Sequence, residues 1–357
     1  MRYRTLGQTG LRVSEIGFGT IPILKGDVPV LPDYYNLDDD EAIALLCQAL
    51  ECGINLFDTA VVPEYGDAEI KLGRFARQAG RERLIISDKA RFFTGDEIYA
   101  AVCRSVENLG GIHPDVYFVH QADPEHDIFS PGGALDALVW CREEGKIGFT
   151  GVATHYYDLL ERAVRDPRVD VVQGSGNLLE RGMLDRMIQD TRFTRKGFLL
   201  NKVYAAGVLP GFFTENELLG NVLCYPISSA LVGMGTAGQL AAALAGAARP
   251  APKLTFEQVL SRLRTVYDPI PCDRCQRCVC PYGTEPHILL RQMNYFFLGK
   301  DYWALRKLDL DIARTAAQCR RCPDAACRKN CPRSLRIPEY IQEAERLVEQ
   351  YIYHGWI

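Results

Sequence analysis

CGINLFDTAVVPEYG (Cys52–Gly66), RLIISDK (Arg83–Lys89) and DVYFVHQ (Asp115–Gln121) are the stretches whose reading decides the fold. Each contains a short apolar run of strand length, too brief for a helix. Each run stops at an ionisable side chain: Asp58, Lys89 and His120. A tyrosine, Tyr65, follows in the loop after the first run. An acid, a phenol, an amine and an imidazole thus fall in order at strand ends or just beyond them. Strand ends are where a parallel (β/α)8 barrel gathers its catalytic groups.

Reading outward, further strands are expected at Val13–Gly17, Ile147–Val152, Val169–Gln173, Phe198–Val203 and Ala230–Val232. With Ile54–Phe57, Leu84–Ser87 and Val116–His120 they make eight. Amphipathic helices are expected between them, for example Asp39–Cys52, Gly95–Leu109 and Ala134–Glu144, with apolar residues three and four apart. Eight strands alternating with helices imply a parallel sheet closed into an α/β TIM barrel over residues 1–246. The opening YRTLGQTGLRVSEIGFG reads as a hairpin leading into the first strand. AGAARPAPK (Ala245–Lys253) is a linker. Beyond it, residues 254–357 show helical periodicity only and form a second, small helical domain with cysteine-bearing loops.

A barrel takes roughly 250 residues, which leaves about a hundred of the 357 for that second domain. The net charge of −4 comes without a long basic stripe, which argues against nucleic acid as the partner. No apolar run has transmembrane length, and MRYRTLGQTG lacks the apolar core of a signal peptide. A cytoplasmic protein is expected, with no membrane partner.

Eight of the thirteen cysteines crowd near the C-terminus. The runs are Cys272-x2-Cys275-x2-Cys278-x-Cys280-Pro281 and Cys319-x2-Cys322-x4-Cys327-x3-Cys331-Pro332. In a reducing compartment such crowding favours metal or cluster ligation over disulfides. Two-cluster bacterial ferredoxins use a similar run ending in Cys-Pro, with the fourth cysteine of each run ligating the other cluster. On that pattern one [4Fe–4S] cluster takes Cys272, Cys275, Cys278 and Cys331, and the other takes Cys319, Cys322, Cys327 and Cys280. Two zinc sites are the alternative use of eight thiolates. Arg320, Arg321, Arg328, Lys329, Arg333 and Arg336 surround the second run; they would offset cluster charge or dock an acidic electron carrier. Cys47, Cys52, Cys103, Cys141 and Cys224 read as ordinary core cysteines.

Together the four strand-end residues resemble the Asp-Tyr-Lys-His tetrad of the aldo-keto reductase superfamily. LGQTGLRVSEIGFGT, CGINLFDTA and SVENLGGIHPDVYFVHQAD are similar to that family's opening, second strand and histidine-bearing stretch. The whole chain resembles the branch with a ferredoxin-like C-terminal iron–sulfur domain. The resemblance implies that Tyr65 is the acid, Lys89 its tuner, Asp58 the anchor of Lys89, and His120 the orienter of substrate. A nearby ammonium favours phenolate and should lower the tyrosine pKa. The family places its tyrosine five residues after the aspartate; here the gap is seven.

The resemblance also implies a bound nicotinamide, NADP or NAD. Gln173 matches the family's carboxamide-binding glutamine. Gly233, Gly235 and Thr236, followed by Gln239, lie in LVGMGTAG and its helix, where amides at a helix N-terminus can face a phosphate. Met234 and Gln239 occupy positions where a lysine and an arginine would hold the extra phosphate of NADP. Ala153 and Thr154 replace a Ser-Asn carboxamide pair. His155 faces the barrel mouth as a possible substrate contact, and His113, His126, His287 and His354 read as loop or surface histidines.

The implied function is hydride transfer between nicotinamide and a small carbonyl or alcohol. The alternatives are an electron-transfer iron–sulfur protein with a barrel of other use, or an inactive barrel whose clusters staple a scaffold.

Overall fold

The computed structural model describes residues 1–25, 36–300, 302–309 and 312–353. The chain divides into two compact units. The first comprises Met1–Ser175, Met187–Val203 and Thr214–Lys253. The second comprises Gly176–Arg186, Tyr204–Phe213 and Leu254–Ile357. The second unit therefore begins earlier in sequence than the linker suggests, because two segments that follow barrel strands group with the tail.

In the first unit, β1 (Tyr3–Thr5) and β2 (Arg12–Ser14) form the antiparallel hairpin expected from the opening. The reading Val13–Gly17 as one strand is corrected. Glu15 separates β2 from β3 (Ile16–Gly19), its buried carboxylate taken by Arg2 at 2.7 Å. The barrel continues with β4 (Leu56–Asp58), β5 (Ile85–Ala90), β6 (Val116–Ala122) and β7 (Phe149–Thr154), then β8 (Val171–Ser175), β9 (Gly197–Asn201) and β10 (Ser229–Gly233). These eight strands close in the order β10-β3-β4-β5-β6-β7-β8-β9, and every neighbouring pair is parallel.

The core explains the closure. Leu6 and Val13 of the hairpin pack with Leu56, Ile85, Val116, Phe118, Val171, Leu199 and Leu231. Most of these begin their strands, so the hairpin seals the N-terminal end and leaves the C-terminal end for chemistry. Side chains alternate in and out along each strand. Gly151 of β7 is small by necessity: a Cβ there would lie 2.3 Å from the Phe118 ring.

Helices α1 (Asp39–Glu51), α2 (Ala68–Ala79) and α3 (Gly95–Asn108) precede α4 (Ala134–Glu143) and α5 (Tyr157–Arg165). Asp38 with Glu41, and Thr94 with Glu97, close capping boxes that start α1 and α3. Among the described residues no helix is long and apolar enough to cross a membrane.

Outward-facing Asp88 of β5 is fully buried and faces the buried carboxyl of Glu69 on α2. Its carboxyl is pushed well up, first by burial and then by Glu69. A raised folded-state pKa stabilises the fold fully only below the unfolded value of about 3.9, and that stability fades as pH rises through the folded value. Asp88→Asn keeps an acceptor for the Lys89 amide, which donates to Asp88 Oδ1 at 2.7 Å. We expect it to raise the melting temperature at pH 8, by about 1–2 kcal/mol in stability, with little gain at pH 4. Thermal unfolding across that pH range checks this.

In the second unit, α6 (Phe256–Leu263), α7 (Pro286–Gly299), α8 (Tyr302–Asp309), α9 (Ile312–Arg321), α10 (Ala326–Lys329) and α11 (Ile337–Val348) carry the tail. Buried Glu180 accepts from the Arg274 guanidinium at 2.7 Å and pairs with Arg291 at 3.3 Å. Asn294 ties the loop before the first cysteine run, exchanging hydrogen bonds with the backbone of Ile270 at 2.8 and 2.9 Å.

Candidate active site

Asp58 ends β4 and lies in register with Ser87 of β5. Lys89 stands two residues farther along β5, on the same face. Its Nζ donates to Asp58 Oδ2 at 2.5 Å and to the Thr59 carbonyl at 2.8 Å. Ser87 Oγ and Gln173 Nε2 donate to the other Asp58 oxygen at 2.7 and 3.0 Å. The carboxylate is thus fully engaged, and Lys89 is only 2% exposed. Burial opposes the ammonium, but Asp58, followed by Tyr65, more than restores it, so its pKa lies above the ordinary lysine value.

The longer connection before Tyr65 does not carry the phenol away. Val61 N–H bonds to the Lys89 carbonyl at 2.9 Å, extending the strand pairing beyond Asp58. Pro63–Tyr65 then form one 3-10 turn, with Tyr65 N–H on the Val62 carbonyl at 3.0 Å. Gly66 adopts φ 51°, a left-handed value that favours glycine, and redirects the chain into α2. The result sets Lys89 Nζ 5.3 Å from the Tyr65 ring centroid.

The expected lowering of the Tyr65 pKa is corrected. Burial raises it more than Lys89 lowers it, and Asp58 cancels part of the ammonium's effect. Tyr65 is therefore a protonated phenol through the neutral range. His120, on β6, has its pKa pushed well down, first by burial and then by Lys89, Arg91 and Lys202. It is a neutral imidazole, and its buried Nδ1 has no hydrogen-bond partner among the described residues.

Gln173 is tied into the tetrad through Asp58, a role its carboxamide-binding assignment missed; its Oε1 is buried without a partner among the described residues. After β10, Thr236 caps the helix Ala237–Ala248, accepting from Gln239 N–H at 3.1 Å. Gln239 in turn takes the Gly235 amide at 2.8 Å, so that amide is already occupied. Gly233 is exposed at the strand end, and Met234 is buried. His155 meets Gln121 at 2.7 Å through Nδ1. His113 and His126 are exposed; His354 lies outside the described residues.

Residues 15–222 match the model of the aldo/keto reductase family. The chain belongs to the aldo/keto reductase family. It is thus an NAD(P)-dependent oxidoreductase built on that family's barrel. Among curated aldo/keto reductase relatives, it is 27% identical to D-threo-aldose 1-dehydrogenase of a Pseudomonas species, over 56% of this chain and 68% of that protein. It is 25% identical to NADH-specific methylglyoxal reductase of Escherichia coli, over 62% and 72%. A candidate aldo-keto reductase structure from Pseudomonas aeruginosa matches at TM-score 0.60 and 29% identity, covering 70% of this chain and 95% of that one. The holo aldo-keto reductase AKR11C1 of Bacillus halodurans matches at TM-score 0.60 and 18% identity, covering 77% and 99%, a likeness of fold.

The cysteine tail lies beyond the family match. Within the second unit, Cys272, Cys275, Cys278 and Cys331 line one cavity. Cys280, Cys319, Cys322 and Cys327 line another. Each cavity thus combines three cysteines of one run with one of the other. Arg274 and Gln276 both take φ 58°, left-handed values within the first run. Amides of Arg274, Arg277 and His287 donate to Cys272, Cys275 and Cys278. Burial pushes the Cys278 and Cys319 thiols up to about 11. Among the described residues, no three His, Cys, Asp or Glu side chains are placed to hold a single metal ion.

Two readings are revised here, those of His287 and of the scattered cysteines. His287 is not a surface residue: it is buried and lines the first cavity. Of the basic residues by the second run, Arg333 lines the first cavity and the rest line neither. Among the scattered cysteines only Cys141 is buried; Cys52 and Cys224 are exposed where they close helices.

Proposed function

We propose that this reductase interconverts a small carbonyl compound and its alcohol, with Tyr65 as proton donor, Lys89 and Asp58 as its electrostatic support, and His120 as orienter. The observation that carries the reading is the Lys89 ammonium, held by Asp58 at 2.5 Å and set 5.3 Å from the Tyr65 ring. The bound nicotinamide supplies the hydride. As negative charge builds on the substrate oxygen, the Tyr65 hydroxyl delivers its proton there, and the neighbouring ammonium stabilises the phenolate left behind. His120, being neutral, hydrogen-bonds the same oxygen without adding charge. Gln173 Oε1 is a ready acceptor for a carboxamide N–H.

NADH is the proposed coenzyme. The helix Ala237–Ala248 carries no lysine or arginine, Met234 is buried, and Gln239 is committed to capping. A 2′-phosphate needs a cationic partner. Assays of NADH and NADPH oxidation against a panel of aldehydes and ketones test both statements. We expect turnover, with kcat/KM at least about tenfold higher for NADH, equal to about 1.4 kcal/mol. No turnover with either coenzyme across the panel would contradict the reading.

We further propose two [4Fe–4S] clusters in a ferredoxin-like tail. Cys272, Cys275, Cys278 and Cys331 would hold the first; Cys280, Cys319, Cys322 and Cys327 would hold the second. The crossed grouping is the pattern of two-cluster ferredoxins. Four sulfurs about 2.3 Å from one zinc ion would converge to within about 3.8 Å of one another, and among the described residues no three such side chains are placed to hold a single metal ion. Iron–sulfur chemistry at oxygen-sensitive thiolates fits a reducing compartment, the cytoplasm. The clusters would pass single electrons, and a small electron-carrier protein is the partner that chemistry requires.

A further inference from the structure

The turn that carries Tyr65 is held on both sides by charged side chains with no part in the chemistry described so far. On one side Glu64, the preceding residue, accepts from the Arg91 guanidinium at 3.0 Å. Arg91 follows the last residue of β5 and stands two residues beyond Lys89. On the other side Asp67, two residues after Tyr65, meets the Lys71 ammonium at 3.1 Å. Lys71 is wholly buried, and its Nζ also donates to the carbonyls of Ile23 at 2.9 Å and Leu37 at 2.7 Å. An ammonium has three donors, and all of them are engaged here. Asp67 stands at the N-cap of α2, where an aspartate ordinarily accepts from its own helix; its side chain makes no such bond. Its carboxylate is engaged instead by Lys71 and by the Lys25 amide, which donates to Oδ1 at 2.8 Å. A Cβ on Gly66 would lie 3.4 Å from the Leu24 side chain, so the turn rests directly on the chain that follows β3.

We propose that Arg91 and Lys71 are positioning residues that fix the Tyr65 phenol beside Lys89, acting through Glu64 and Asp67. The inference deepens the reading of Tyr65 as proton donor and rests on it. A longer connection has more backbone freedom to lose on folding, and a general acid must stand within hydrogen-bond reach of the substrate oxygen. A misplacement of about 1 Å can cost about 10²-fold in rate. The Val61 amide and the 3-10 turn fix the backbone up to the phenol. The two ion pairs fix residues 64 and 67 on either side of it. The Glu64–Arg91 pair is partly exposed, and such pairs add little to global stability. Its effect lies in where the phenol rests, not in whether the barrel folds.

The test is a mutant cycle on NADH-dependent aldehyde reduction by the full chain. Arg91→Ala and Asp67→Ala should each lower kcat by about tenfold, with NADH affinity by fluorescence unchanged. Arg91→Ala should melt close to the wild type. Exchanging the charges in Glu64→Arg/Arg91→Glu should recover most of the lost kcat. In a Tyr65→Phe background the same substitutions should cost no further rate, because effects that act through one group do not add. Wild-type kcat in either variant would overturn the inference. Equal factors lost with and without the Tyr65 hydroxyl would overturn it too; that is the outcome if Arg91 acts through His120, whose charge state it also influences. If Asp67→Ala does not fold, Arg91→Ala and its charge-exchanged counterpart decide. No wild-type turnover, or a wild-type rate in Tyr65→Phe, would overturn the proton-donor reading, and this inference with it.

Discussion

Lys89→Met is expected to lose turnover by about 10³-fold or more and to destabilise the barrel by about 3–5 kcal/mol. The stability loss follows from burial. Removing one partner of a buried ion pair leaves the other charged and uncompensated, and both Asp58 and Lys89 are almost wholly buried. Ser87 and Gln173 would still donate to Asp58, which holds the cost toward the lower end. The activity loss follows from position: the Tyr65 pKa is already raised by burial, and Lys89 is the cation that opposes this. Without it the phenolate formed after proton transfer is unsupported. Lys89→Arg should restore much of the stability and little of the rate, because the guanidinium places its charge elsewhere. Denaturant unfolding alongside steady-state kinetics separates the two effects.

Cys331→Ala should halve the bound iron, from about eight to about four atoms per chain. The crossed grouping makes a sharper forecast for pairs. Cys331 and Cys278 line one cavity, so the double variant Cys331→Ala/Cys278→Ala should retain about four irons, no fewer than either single change. Cys331 and Cys322 line different cavities, so Cys331→Ala/Cys322→Ala should lose nearly all. Each effect is additive only between independent sites. If the runs instead closed on themselves, the two double variants would exchange outcomes. Iron and sulfide analysis of anaerobically purified variants reads the result directly.

The barrel was legible because its signals are local. Short apolar runs bounded by helices announce each strand, and strand-end ionisable residues reveal which face carries chemistry. Asp58 and Lys89 are candidates on that ground. Their geometry was not legible, because it depends on contacts remote in sequence: Gln173 reaches Asp58 across the barrel from β8. The direction of the Tyr65 pKa was misread for a similar reason. A neighbouring ammonium can be inferred from a motif, but burial depends on how a widened loop folds, and here burial prevails. Glu15 interrupted what looked like one strand because its partner, Arg2, lies upstream in the hairpin. His287 carried no pattern marking it as buried; only the return of its helix toward Cys278 places it there. The segments 176–186 and 204–213 follow barrel strands in sequence, and nothing local marks their grouping with the tail.

The most direct measurement is NADH oxidation by a responsive aldehyde with wild type and Tyr65→Phe, run beside NADH binding by fluorescence. The account predicts unchanged NADH affinity, a kcat lower by about 10²–10⁴-fold, and a wild-type reduction rate that holds from pH 6 to about 9 because the phenol stays protonated. A Tyr65→Phe protein that binds NADH normally and reduces the aldehyde at the wild-type rate would contradict it.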